Sequence, residues 1–87
     1  MTKVNKQFIE AMQKRIDGKP AEYDGADNPK NYKNMSEYEL SRLIKKDAEQ
    51  LFHNVLSNPD KFIAMEQCID IANRCWMLWE RLEATNG

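Results

Sequence analysis

Asp47 stands inside an apolar stripe, a placement with direct chemical consequences. With Leu40 at zero on a helical wheel of about 100 degrees per residue, Asp47 falls in the arc of Leu40, Leu43, Ile44, Ala48, Leu51, Phe52 and Val55. Gln50 and Asn54 lie along its edge. A carboxylate on a buried face is costly unless it is paired, hydrogen-bonded or bound to a cation. Asp47 is therefore either a member of a polar network or a metal ligand. Further along, Glu66, Asp70 and Asn73 share a helical stripe with Met77, flanked by Arg74 and Arg81. The plain reading of that group is a solvated face with salt bridges at helical spacing. The only histidine, His53, falls with Arg42, Lys46 and Glu49 on a polar side and reads as solvent-facing. No nucleophile and base at matched spacing, glycine-rich phosphate loop or cofactor motif is present.

The elements that must position these residues are helices. Val4, Phe8, Ile9, Met12 and Ile16 recur at helical spacing until Gly18, Lys19 and Pro20, so the first helix is expected over residues 3–17. A loop over residues 18–35 follows, with two prolines, Gly25 and many Asn and Asp. Connections of that length are uncommon in compact domains and tend to be functional or disordered. Tyr23 and Tyr32 in it either anchor the loop to the core or face a ligand, with anchoring the plainer reading. Asp24, Asp27 and Asn28 lack the ligand order of a calcium loop and read as turn chemistry. Met35, Ser36, Glu39 and Leu40 occupy the staple, N-cap, capping-box and fourth positions of a second helix, expected over 36–57. Asn58 can cap a third helix over 59–83, with Pro59 at its first position and Asp60 facing the positive end of the dipole.

On the third helix the apolar residues fill nearly half the circumference. One side carries Phe62, Met65, Ile69, Ala72, Trp76 and Trp79; an adjoining side carries Cys68, Ile71, Cys75, Leu78 and Leu82. One neighbouring helix covers less than that, so part of this surface, the tryptophans especially, is expected to meet a second subunit. No alternating run or hairpin signal reads as a strand. The fold class is therefore all-α: a three-helix antiparallel bundle made of a short N-terminal helix, a long loop and a helical hairpin, completed by homodimerisation.

Composition narrows the function classes. A chain of 87 residues makes one small domain that buries only a modest share of its surface alone. A net charge of −1 gives no case for nucleic acid or an acidic membrane as partner. The N-terminal residues lack the apolar core and cleavage site of a secretory signal, and no run approaches the roughly 20 apolar residues of a membrane span, so the cytoplasm is the expected location. Cys68 and Cys75, about 10 Å apart along one helix axis, cannot bridge each other. They read as buried apolar thiols, with no zinc spacing around them.

The run MSEYELSRLIKKDAEQL, followed about twenty residues later by MEQCIDIANRCWMLWERL, resembles phage-type members of the MazG-like nucleotide pyrophosphohydrolases over a little more than half the chain. The resemblance implies an all-α fold that forms helical dimers or higher assemblies. It also implies two acidic pairs that bind magnesium, which holds the triphosphate and helps activate a water. Carried over position by position, the first pair falls on Asp47 and Gln50 and the second on Gln67 and Asp70, with Asn73 retained. Two of the four carboxylates are thus amides, and Lys46 stands where an extra acid is frequent in the family.

Two expectations follow from that carry-over. The first is a homodimeric binding protein of phage type that docks on a host protein, a defence or nucleotide-metabolism enzyme, with no catalytic residue and with Trp76, Trp79, Tyr23 and Tyr32 as candidate contacts. The alternative is a magnesium-dependent pyrophosphohydrolase with Asp47, Asp70 and Glu66 on the metal. A third use of the same groove is capture of a nucleotide without hydrolysis, through Asn73, Gln50, Arg74 and Lys46.

Overall fold

A computed structural model describes residues 2–19, 27–28, 31–57 and 60–85. Within them the chain forms α1 (Lys6–Asp17), a 3₁₀ turn (Tyr32–Asn34), α2 (Glu37–Ser57) and α3 (Lys61–Thr85), with no strand among the described residues. The fold is an all-α three-helix bundle. Asp47 meets Arg74 and Asn54 meets Gln67, so α2 and α3 run antiparallel. Asn73 on α3 reaches Met12 on α1, and Ile16 packs on the cluster around Met77, so α1 runs alongside α3 in the same sense. α3 is the central element, packed on both others.

The helix ends follow from local chemistry, and the starts of α1 and α3 depart from the expected limits. α1 starts at Lys6 because the Asn5 side chain accepts from the Gln7 amide at 2.8 Å. Val4 is thereby left outside the helix and exposed. α1 stops at Gly18, whose φ of −78° is ordinary right-handed backbone, so no left-handed cap ends it. α2 opens as expected: Ser36 Oγ accepts from the Glu39 amide at 3.1 Å. The Glu39 carboxylate accepts from the Ser36 hydroxyl at 3.3 Å, while Met35, at the staple position, packs on the cluster that holds Leu40. α3 is capped by Asp60 in place of Asn58: its carboxylate accepts from the amides of Phe62 and Ile63 at 3.0 and 3.1 Å, which also places an anion at the helix N-terminus. Asn58 and Pro59 lie outside the described residues.

The segment expected as loop contains ordered structure. Asn31 is buried, and its side chain caps the 3₁₀ turn by accepting from the Lys33 amide at 2.9 Å. Asn28 supplies a carbonyl to both the Asn31 amide and the Asn34 side chain, each at 2.9 Å, in line with the turn reading. The turn delivers Tyr32 to the core, where it joins Leu40 and Met77, with Ile16, Met35, Trp76 and Leu78 packed around them. No helix among the described residues is long and apolar enough to cross a membrane.

That core is small, and the apolar faces extend well beyond it. On α2, Leu40 is buried and Leu43, Ile44 and Leu51 are half-buried, yet Ala48, Phe52 and Val55 of the same arc are exposed, Phe52 by 62%. On α3, Cys68 and Cys75 are exposed, contrary to the buried thiols expected. The reason is geometric: α1 and α2 cover the sides of α3 that carry Ile69, Asn73, Arg74 and Met77, while Cys75 falls on the side left open and Cys68 at the rim of a cleft shared with Phe8 and Ala11 of α1.

Candidate functional site

Three carboxylates singled out by spacing, Asp47, Asp70 and Glu66, are each tied to an arginine where α3 faces α1 and α2. Asp47 accepts from Arg74 Nε at 2.6 Å, with both side chains less than a third exposed. The carboxylate inside the apolar stripe is thus a network member, held by a cation from the facing helix. Asp70 takes a two-pronged contact from Arg15 of α1, Nε to Oδ1 at 3.0 Å and Nη2 to Oδ2 at 3.3 Å. The same guanidinium reaches Glu66 through Nη1 at 2.7 Å. A planar fork between two carboxylates one turn apart suits arginine and no other side chain.

Asn73, at 2% exposure, donates from Nδ2 to the Met12 carbonyl at 3.2 Å. Its Oδ1 is buried without a hydrogen-bond partner. Asp70 and Asn73 therefore leave the solvated face expected of them, while Glu66, about half exposed, stays on it. Their partners come from α1, across the bundle, and not from the next turn of α3.

The other candidates are dispersed. Gln50 and Lys46 are exposed on α2. Gln67 faces Asn54 at 3.4 Å, closing the lower end of the hairpin. Trp76 is half-buried, its ring 5.7 Å from that of Tyr32. Tyr32 is core, which settles it as an anchor, and its hydroxyl points to Glu80 at 3.5 Å. Trp79 is 57% exposed, and Tyr23 lies outside the described residues.

Magnesium does not fit this arrangement. Among the described residues no three acidic, histidine or cysteine side chains come together. Asp47, Asp70 and Glu66 already carry their charge against guanidinium groups, so a divalent ion would have to displace an arginine from each side.

Two contributors escape a reading by spacing. Arg15 stands on the first helix with no oppositely charged neighbour to announce it, although its targets, one turn apart on α3, form a matching pair. Asn31 is one of several asparagines in a polar stretch, and nothing local distinguishes it as buried.

A cleft of about 400 Å³ adjoins the Arg15–Glu66 pair at the C-terminal half of α1, lined by Ala11, Lys14, Arg15, Gly18 and Lys19, with Glu66 and Ile69 of α3. Its rim is cationic and its floor apolar. The class defined by fold and site together is a small all-α bundle with an arginine-locked polar layer and open apolar faces. Compared with protein-family models, curated proteins and solved structures, the chain matches none.

Proposed function

We propose that this chain is a small homodimeric binding protein that acts by docking on another protein. The observation that carries the reading is the contrast between its two kinds of surface. The carboxylates that could hold a metal are neutralised by Arg15 and Arg74, while apolar side chains of α2 and α3, among them Phe52, Val55 and Trp79, face solvent. Exposed aromatic and aliphatic area is what interface centres are built from. The resemblance to phage-type sequences makes a host defence or nucleotide-metabolism protein the first partner class to screen. The test is capture of a defined host protein by wild type and by Phe52→Glu/Val55→Glu. Loss of capture with unchanged helicity supports docking through α2, and equal capture by both removes that surface from the reading. Incubation with each nucleoside triphosphate and Mg²⁺ or Mn²⁺ is expected to release no pyrophosphate; turnover abolished by Asp70→Ala would replace this reading with the hydrolase.

One observation favours a second reading, nucleotide capture without hydrolysis. Lys14 and Lys19 rim the α1 cleft over Ala11 and Ile69, which provides cations for phosphate and an apolar floor for a base. Arg74, held by Asp47, is poorly placed to serve as the phosphate ligand. Calorimetry with linear and cyclic nucleotides on wild type and Lys14→Glu separates the two readings, because docking through α2 does not depend on Lys14.

A further inference from the structure

α1 meets the bundle differently from α2. None of its 12 residues is buried, whereas α2 contributes Leu40, which is fully withdrawn from water. Three clefts open along the flanks of α1. One of about 430 Å³ separates Gln7 and Phe8 from Met65 and Cys68. One of about 400 Å³ lies between Lys14 and Glu66, and one of about 300 Å³ runs past Met12, Ile16 and Trp76. Atoms that line open space lose dispersion contacts on that side. The apolar hold of α1 on α3 is therefore thin.

Polar contacts make up only part of the difference. Arg15 is 35% exposed and Glu66 52%, so solvent screens their pair, and the same guanidinium also holds Asp70. The link from Asn73 Nδ2 to the Met12 carbonyl carries a cost, because Asn73 Oδ1 is buried with no hydrogen-bond partner. Lifting α1 opens that side chain to water. The contact of α2 with α3 is firmer, since Asp47 and Arg74 are only 19% and 28% exposed and 2.6 Å apart.

We infer that α1 is a releasable cover on α3: it lifts while the α2–α3 hairpin and the cluster of Tyr32, Leu40 and Met77 stay folded. A helix of 12 residues is too short to be stable alone in water. α1 therefore unwinds as it lifts, and the step is cooperative. Ile69 and Asn73, buried in the closed state, become exposed, and Glu66 and Asp70 are freed from Arg15. The open state thus adds an apolar strip edged by two carboxylates to the surface that α2 already shows. The inference goes beyond the docking function proposed above, and its test involves no partner, so either can fail alone.

Amide hydrogen exchange of the full chain, followed by NMR in increasing urea, reads the step. The amides from Met12 to Ile16 are expected to share one opening free energy, lower than that of α2 and α3 and with a shallower urea dependence. Arg15→Gln should speed their exchange about tenfold, and Arg15→Lys, which keeps the charge and loses the fork, by a smaller factor. Asp60→Ala weakens the start of α3 in the closed and open states alike. It should speed exchange at the centre of α3 about fivefold and leave α1 unchanged. If α1 opens only when the whole chain unfolds, Asp60→Ala speeds both helices equally and their urea slopes coincide, which overturns the cover. Graded protection along α1 that Arg15→Gln leaves unaltered is fraying in place and overturns it as well.

Discussion

At 2.6 Å from Arg74 and largely shielded from water, the Asp47 carboxylate is held by an interaction stronger than a surface ion pair. Removing it leaves a guanidinium without its partner among apolar neighbours. Asp47→Ala is expected to cost about 1–3 kcal/mol, read by urea denaturation. Arg74→Ala added to it should recover part of that loss, and strictly additive losses would show that the pair is not coupled. Glu66 is about half exposed, so its contact with Arg15 contributes less than the Asp70 contact, which is better screened from solvent. Asp47 in the apolar arc was legible as a residue that needs a partner, because the wheel requires only local geometry. That the partner is Arg74 was not, since both a cation and a neighbouring helix face satisfy the same local pattern.

Helix termini carry the next set of consequences. Ser36 and Asp60 each satisfy amide groups that have no partner within their own helix. Ser36→Ala and Asp60→Ala should each lower stability by about 1 kcal/mol, measured by thermal or chemical unfolding. The Asp60 effect should weaken as salt is added, because it includes a charge at the helix N-terminus. Gly18 is the opposite case. Its φ is negative, and a Cβ there would meet only the carbonyl oxygens of Lys14 and Arg15 at 3.6 Å, ordinary contact. Gly18→Ala is therefore expected to be neutral or to stabilise by up to about 1 kcal/mol through the unfolded chain; a raised or unchanged melting temperature is the outcome, and a marked fall would mean that residues 18 and 19 are strained. The three helices and the capping of α2 were readable from period and punctuation. The 3₁₀ turn at Tyr32–Asn34 was not, since its cap, Asn31, resembles every other asparagine around it.

At the scale of the whole molecule, few side chains are fully withdrawn from water: among the described residues the buried apolar set is Tyr32, Leu40, Ile69 and Met77. A core of that size gives limited stability in isolation, and pairing with a second copy would add to it by mass action. The thermal midpoint is therefore expected to rise by several degrees for a tenfold increase in protein concentration. A midpoint independent of concentration would show that each copy is stable by itself. The sequence alone determined that there are three amphipathic helices, roughly where they begin and end, and that α3 is apolar over more of its circumference than one neighbour covers. These properties depend on hydrophobic period and on end signals, which act over a few residues. Only the tertiary structure decided which arginine meets which carboxylate, that Tyr32 belongs to the core, and which side of α3 stays open. Those outcomes depend on the angles at which α1 and α2 cross α3, and contacts spanning 27 to 61 residues leave no periodic trace in the chain.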